Sequence, residues 1–146
     1  VATAHDVAAY ILQLRGPMSA IKLQKLVYYS YAWHLVWEED HLFDAHVEAW
    51  ANGPVVRELY HEHRGKFMLD GWPQGDASAL TESEQETVRA VLDFYGDKTA
   101  AWLSELTHKE RPWLDARQGL TPGERGAQPI SDEAMAEYYG SLLGTA

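Results

Sequence analysis

Four groups of side chains in this sequence have the types and spacings from which chemistry can be built. His61-Glu62-His63 is the densest, but imidazoles two apart on a helix point in different directions, whereas metal ligands converge at spacings of three or four. His41 and His46 flank a turn and have no third ligand in view, so neither a metal site nor a cofactor is expected. His108 and Glu110 read as an acid/base pair with Trp113 as a wall against water, the parts that a small hydrolase would use. No nucleophile stands in a recognised motif, and Gly53-Pro54-Val55 lacks the lysine and spacing of a phosphate loop. The absence of cysteine removes thiol nucleophiles, disulfides and cysteine-ligated metals. His108 and Glu110 are therefore expected to tie a loop to neighbouring helices by hydrogen bonds, and the chain is not expected to be an enzyme.

The fourth group is Lys22 and Lys25, three apart and hence on one helix face. A cation near a helix N-terminus opposes the macrodipole at a cost of about 0.3–1 kcal/mol. A compensating contact is expected, either a carboxylate such as Glu48 or Glu110 or a polar patch kept for a partner.

The element that must position these lysines is the run Ile21 to Trp37. Leu23, Leu26, Val27, Ser30, Trp33 and Trp37 fall on one helical face, and Tyr28, Ala32, Leu35 and Val36 make the flank apolar too. A helix apolar on most sides belongs inside a core, where its tyrosine hydroxyls need partners and Trp33 is buried. It is shorter than the roughly 18 apolar residues of a membrane span.

Around it the pattern predicts a first helix from the Thr3/Asp6 start to Arg15, stopped by Gly16-Pro17, with Ser19 capping the central helix. A Gly-Pro turn between two helices has the outline of a DNA-reading motif. The apolar second helix and the net charge favour an ordinary helical hairpin. Phe43, Val47 and Ala49 suggest a short β-hairpin within Leu42 to Ala51, with Asp44-Ala45 as its turn. Gly53-Pro54 then reads as the start of a third helix carrying Val55, Val56, Leu59 and Tyr60. Residues 65–80 read as a surface loop that folds part of Phe67 to Trp72 back onto the core. Thr81 and Glu84 form a capping box for a fourth helix ending at Gly96, and Asp97 is placed to cap a short fifth. Pro112 starts a further helical turn, and Ser131 caps a last helix with Met135, Tyr138, Tyr139 and Leu142 inward.

These elements make a mainly α protein: one compact domain over residues 1–146, with about six or seven helices around a buried central helix and a short β-hairpin. Twelve basic against twenty-two acidic residues give a net charge of −10, which repels a phosphate backbone and steers a basic partner inward. Asp6 and Arg15 around a short apolar run predict neither a secretory signal nor a membrane anchor.

Met18-Ser19, the run Ile21-Lys22-Leu23-Gln24-Lys25-Leu26-Val27-Tyr28-Tyr29, then Trp33-His34-Leu35, Leu42-Phe43, Glu48-Ala49-Trp50 and Asn52-Gly53-Pro54-Val55 occur in order. With Thr107-His108, Glu110, Pro112-Trp113 and Ala116-Arg117 after them, the chain resembles the Panacea-domain family, also described as SocA-like or GepA-type phage-associated proteins. The resemblance covers nearly the whole chain. It implies a cytoplasmic, non-enzymatic antitoxin that binds and neutralises a cognate toxin protein encoded beside it. Neither nucleic acid nor membrane is an implied partner. The residues carried over as partner-binding are Lys22, Lys25, Trp50, Asn52, Gly53, Pro54, His108, Glu110 and Trp113. Among them Trp50 to Pro54 is the expected contact surface: an aromatic anchor beside a fixed backbone, facing a basic toxin such as one acting on RNA. The competing expectation packs Trp50 on the central helix. An adaptor that delivers a bound protein to a protease would share the same domain and is the alternative function.

Overall fold

The computed structural model describes residues 2–143. Seven α-helices and five short strands follow in the order α1 (Ala4–Arg15), β1 (Met18–Ser19), α2 (Ala20–Glu38), β2 (Val47–Trp50), β3 (Gly53–Val56), α3 (Arg57–His63), β4 (Met68–Leu69), α4 (Glu82–Tyr95), α5 (Ala100–Lys109), α6 (Arg111–Ala116), β5 (Gln128–Pro129) and α7 (Asp132–Leu143). The fold is mainly α and forms a single core around α2, as its apolar composition requires. Every residue of α2 from Leu23 to His34 is buried, with α1, α4, α5, α7 and β3 packed around it. Among the described residues no helix is long and apolar enough to cross a membrane.

Local chemistry fixes the helix starts. Thr3 and Asp6 close a reciprocal capping box on α1, Ser19 accepts the amide of Lys22 at the head of α2, and Thr81 with Glu84 repeats the box on α4. Thr99 caps α5 by accepting the amide of Trp102. Asp97, expected there, instead receives Arg15 at 3.1 Å, because it lies two residues upstream of the cap.

The β-hairpin forms, displaced from its expected frame. Its turn is Ala51-Asn52 rather than Asp44-Ala45, and Trp50 stands opposite Gly53. Gly53-Pro54 opens strand β3 and not a helix, so α3 begins only at Arg57. Proline is tolerated because β3 is the edge of a sheet ordered β3-β2-β5, where a missing N–H breaks no inner ladder. Strand β5, within a stretch without periodicity in the sequence, pairs with the other side of β2 through Ala49↔Gln128 and Glu48↔Pro129.

The glycine-rich stretch 65–80 does fold back. Leu69 and Trp72 are buried, β4 pairs with β1, and the Trp72 indole donates to His5 Nδ1 at 3.0 Å on α1. Phe67 and Met68 remain exposed.

Candidate functional site

Residues at the junction of α2, the hairpin and α5–α6 form one packed unit. Lys25 projects from α2 beneath the hairpin and is 2% exposed. Burial lowers its pKa to about 8. Among the described residues neither it nor Lys22 forms an ion pair, so the expected carboxylate partners are not used. Both acids are already engaged: Glu48 takes Arg57 at 3.2 Å and the Trp50 indole at 2.8 Å, and Glu110 takes two tyrosines. Gly53 makes the space for Lys25. A Cβ there would stand 2.8 Å from Lys25 Cε, and its φ of 121° already excludes most side chains.

The hairpin is clamped from the other side by α5 and α6. Trp113 Nε1 donates to Trp50 O at 2.8 Å. His108 Nε2 meets Ala51 O at 3.1 Å, while its Nδ1 meets Ser104 O. Buried Arg117 donates to Ala49 O at 2.8 Å and to Glu124 O, with its guanidinium 5.2 Å from the Trp113 ring centre. Both ring nitrogens of His108 therefore face backbone carbonyls. Its neighbour in sequence, Glu110, turns the opposite way into the helical core.

Glu110 is 4% exposed, and its Oε1 accepts Tyr139 Oη at 2.7 Å and Tyr29 Oη at 2.8 Å. With its one hydrogen given to Glu110, Tyr139 must accept from Tyr28 at 3.0 Å. Tyr29 stacks on Tyr95 at 4.1 Å, and Tyr95 Oη accepts the Trp33 indole at 3.1 Å. Desolvation in this aromatic nest raises the Glu110 pKa to about 7, against the two phenol hydrogen bonds that favour the carboxylate. On its outer side Glu110 lines a groove of about 640 Å³ walled by Trp37, Phe94, Trp102, Tyr138 and Leu143 from α2, α4, α5 and α7.

The expected contact surface is only partly open. Asn52 is exposed and Lys22, Trp50 and His108 are half-buried, while Lys25, Gly53, Pro54, Glu110 and Trp113 are buried. Trp50 meets Tyr60 of α3 edge-on at 4.7 Å, and with Asn52 it borders a shallow depression of about 490 Å³ shared with Arg125 to Ala127. His61 is exposed and His63 is engaged by Gln24, and no group of three or more His, Asp or Glu gathers as metal ligands do among the described residues.

Three residues that hold this unit together have no site role legible in the sequence. Gln24 bonds the backbone of Val56 through both its amide atoms, and its signal was a lone amide between Leu23 and the apolar run that begins at Leu26. Arg117 closes the motif begun by Pro112-Trp113. Tyr139 was readable as an inward residue but not as the donor to Glu110.

Comparison with known proteins adds one finding. The family model described as antitoxin SocA-like, Panacea domain, matches residues 23–114, from the first buried leucine of α2 to the middle of α6. No curated protein and no solved structure matches the chain. The match takes in α2 from Leu23 on, the hairpin with His108 and Trp113, and Glu110, and spans well over half of the 146 residues: the chain belongs to the SocA-like antitoxin family with the Panacea domain.

Proposed function

We propose that this protein is a cytoplasmic antitoxin that neutralises a toxin encoded beside it by binding that toxin directly, without catalysis and without contacting nucleic acid. The family match over residues 23–114 carries the reading. The geometry supports it. His108 has both ring nitrogens on backbone carbonyls and Glu110 has an oxygen held by two phenols, so the two groups serve separate packing tasks instead of converging on a substrate. A net charge of −10 favours encounter with a basic protein and opposes a phosphate backbone.

The test is co-expression of this chain with the product of the adjacent reading frame. Restored growth together with co-purification of the two proteins at unchanged toxin abundance is the expected result. Growth restored only in the presence of a working protease, with the toxin disappearing, would replace direct neutralisation by the adaptor function. Absence of both protection and co-purification would remove the antitoxin reading.

A further inference from the structure

We infer that the groove between α2, α4, α5 and α7 seats an amphipathic helix of the toxin, and that a lysine or arginine among its apolar anchors meets Glu110. The inference rests on the antitoxin reading for the nature of the partner and adds the surface and the kind of segment that fills it.

Three observations carry it. Among the described residues, half of the large apolar side chains left exposed, five of ten, line this one groove: Trp37, Phe94, Trp102, Leu142 and Leu143. A concentration of that kind on one face marks a binding surface, and aromatic residues are its usual anchors.

The second is Glu110 at the groove wall. Both phenols go to Oε1, and among the described residues Oε2 has no hydrogen-bond donor and no cation pairs with the carboxylate. A nearly buried carboxylate with an open oxygen and no cation of its own is matched by a positive side chain arriving with the partner, since a charge pair in a dry wall needs its hydrogen bonds completed.

The third is charge. The groove shares Trp37 and Ala90 with a depression bordered by Glu38 and Glu86. It shares Tyr138 with a second depression bordered by Glu137, where Arg111 is already paired with Asp115 at 3.4 Å. Apolar walls with Glu110 among them and carboxylates in both adjoining depressions fit a helix with apolar residues at i, i+3, i+4 and i+7 and basic residues beside them.

The experiment uses the full chain and the purified product of the adjacent reading frame. Affinity is measured for wild type, Phe94→Asp, Glu110→Gln and, for the rival hairpin surface, Asn52→Asp. In parallel, p-benzoylphenylalanine in place of Phe94 is photo-cross-linked and the captured segment is sequenced. Phe94 is 64% exposed, so its substitution leaves the core intact, and circular dichroism checks both groove variants for folding. The expected result is binding weakened about tenfold or more by each groove variant. The cross-link should fall on a partner segment of helical apolar period that contains lysine or arginine. Wild-type binding matched by both groove variants, or weakened only by Asn52→Asp, would overturn the groove and leave the antitoxin reading in place. A cross-link to a second copy of this chain, or to an extended or acidic segment, would overturn the proposed occupant. Failure of the wild type to bind would remove the antitoxin reading and this inference together.

Discussion

Tyr139 of α7 donates to Glu110 at 2.7 Å, joining the last helix of the chain to the acid that separates α5 from α6. Glu110 is thereby held in a nest of phenols, Tyr28 and Tyr29 from α2, Tyr95 from α4 and Tyr138 and Tyr139 from α7, which are the titratable groups that bear on it. Among the described residues no basic side chain pairs with it. The arrangement places both phenol hydrogen bonds on Oε1 of an acid that also lines the aromatic groove.

The raised pKa of Glu110 has a stability consequence with a definite sign. A carboxyl whose folded value is about 7 against an ordinary 4.5 binds its proton more tightly when folded. Its contribution is fully present below pH 4.5 and is lost as the pH rises through 7. His34 and His63, lowered from 6.5 by burial, act oppositely, their contribution being present above 6.5 and lost on acidification. Urea unfolding of wild type and Glu110→Gln isolates the carboxyl. The difference should move by on the order of 2–3 kcal/mol toward wild type between pH 8 and pH 4.5. A constant difference would show that Glu110 titrates normally.

Gln24 holds the end of β3 as a strand neighbour would. Its Oε1 accepts Val56 N at 2.8 Å, its Nε2 donates to Val56 O at 3.1 Å, and the second amide hydrogen goes to His63 Nε2 at 3.0 Å. Gln24→Ala should cost about 2–4 kcal/mol by leaving buried polar groups unpaired. It should also release the Val56 amide to hydrogen exchange. Exchange at Val56 unchanged from wild type would show the side chain to be dispensable.

How far the sequence could be read follows the range of each interaction. The Thr3/Asp6 and Thr81/Glu84 boxes and the Ser19 cap lie within three residues, and the buried face of α2 within one helix, so all were legible. Gly53-Pro54 misled because the same pair suits a helix start or an edge strand, and the choice is made by Ala49 and Trp50 across the hairpin. Trp37, placed inward by its period, ends 40% exposed because it lines the open groove shared with α4, α5 and α7. Glu110 was singled out, but its use by Tyr29 and Tyr139 spans 81 and 29 residues of chain and has no local signature.

Gly53→Ala should destabilise by about 1–3 kcal/mol from backbone strain at positive φ, and by more where the added methyl displaces buried Lys25. Thermal unfolding measures the sum. A melting temperature equal to wild type would contradict both the strain and the contact.

Trp33 is 8% exposed, bonds Tyr95 and lies 5.5 Å from the Tyr139 ring centre. Trp33→Ala should cost roughly 3–5 kcal/mol in denaturant unfolding, the range for a truncated core aromatic. A loss under about 1 kcal/mol would place it with surface substitutions.

Neutralisation by direct binding is decided by titrating purified chain into the purified product of the adjacent reading frame, with no protease present, and following that protein's toxic activity. Activity is expected to fall to zero at a fixed stoichiometric ratio and to persist when Phe94→Asp replaces wild type at the same concentration. Full toxic activity in the presence of excess folded wild-type chain would contradict it.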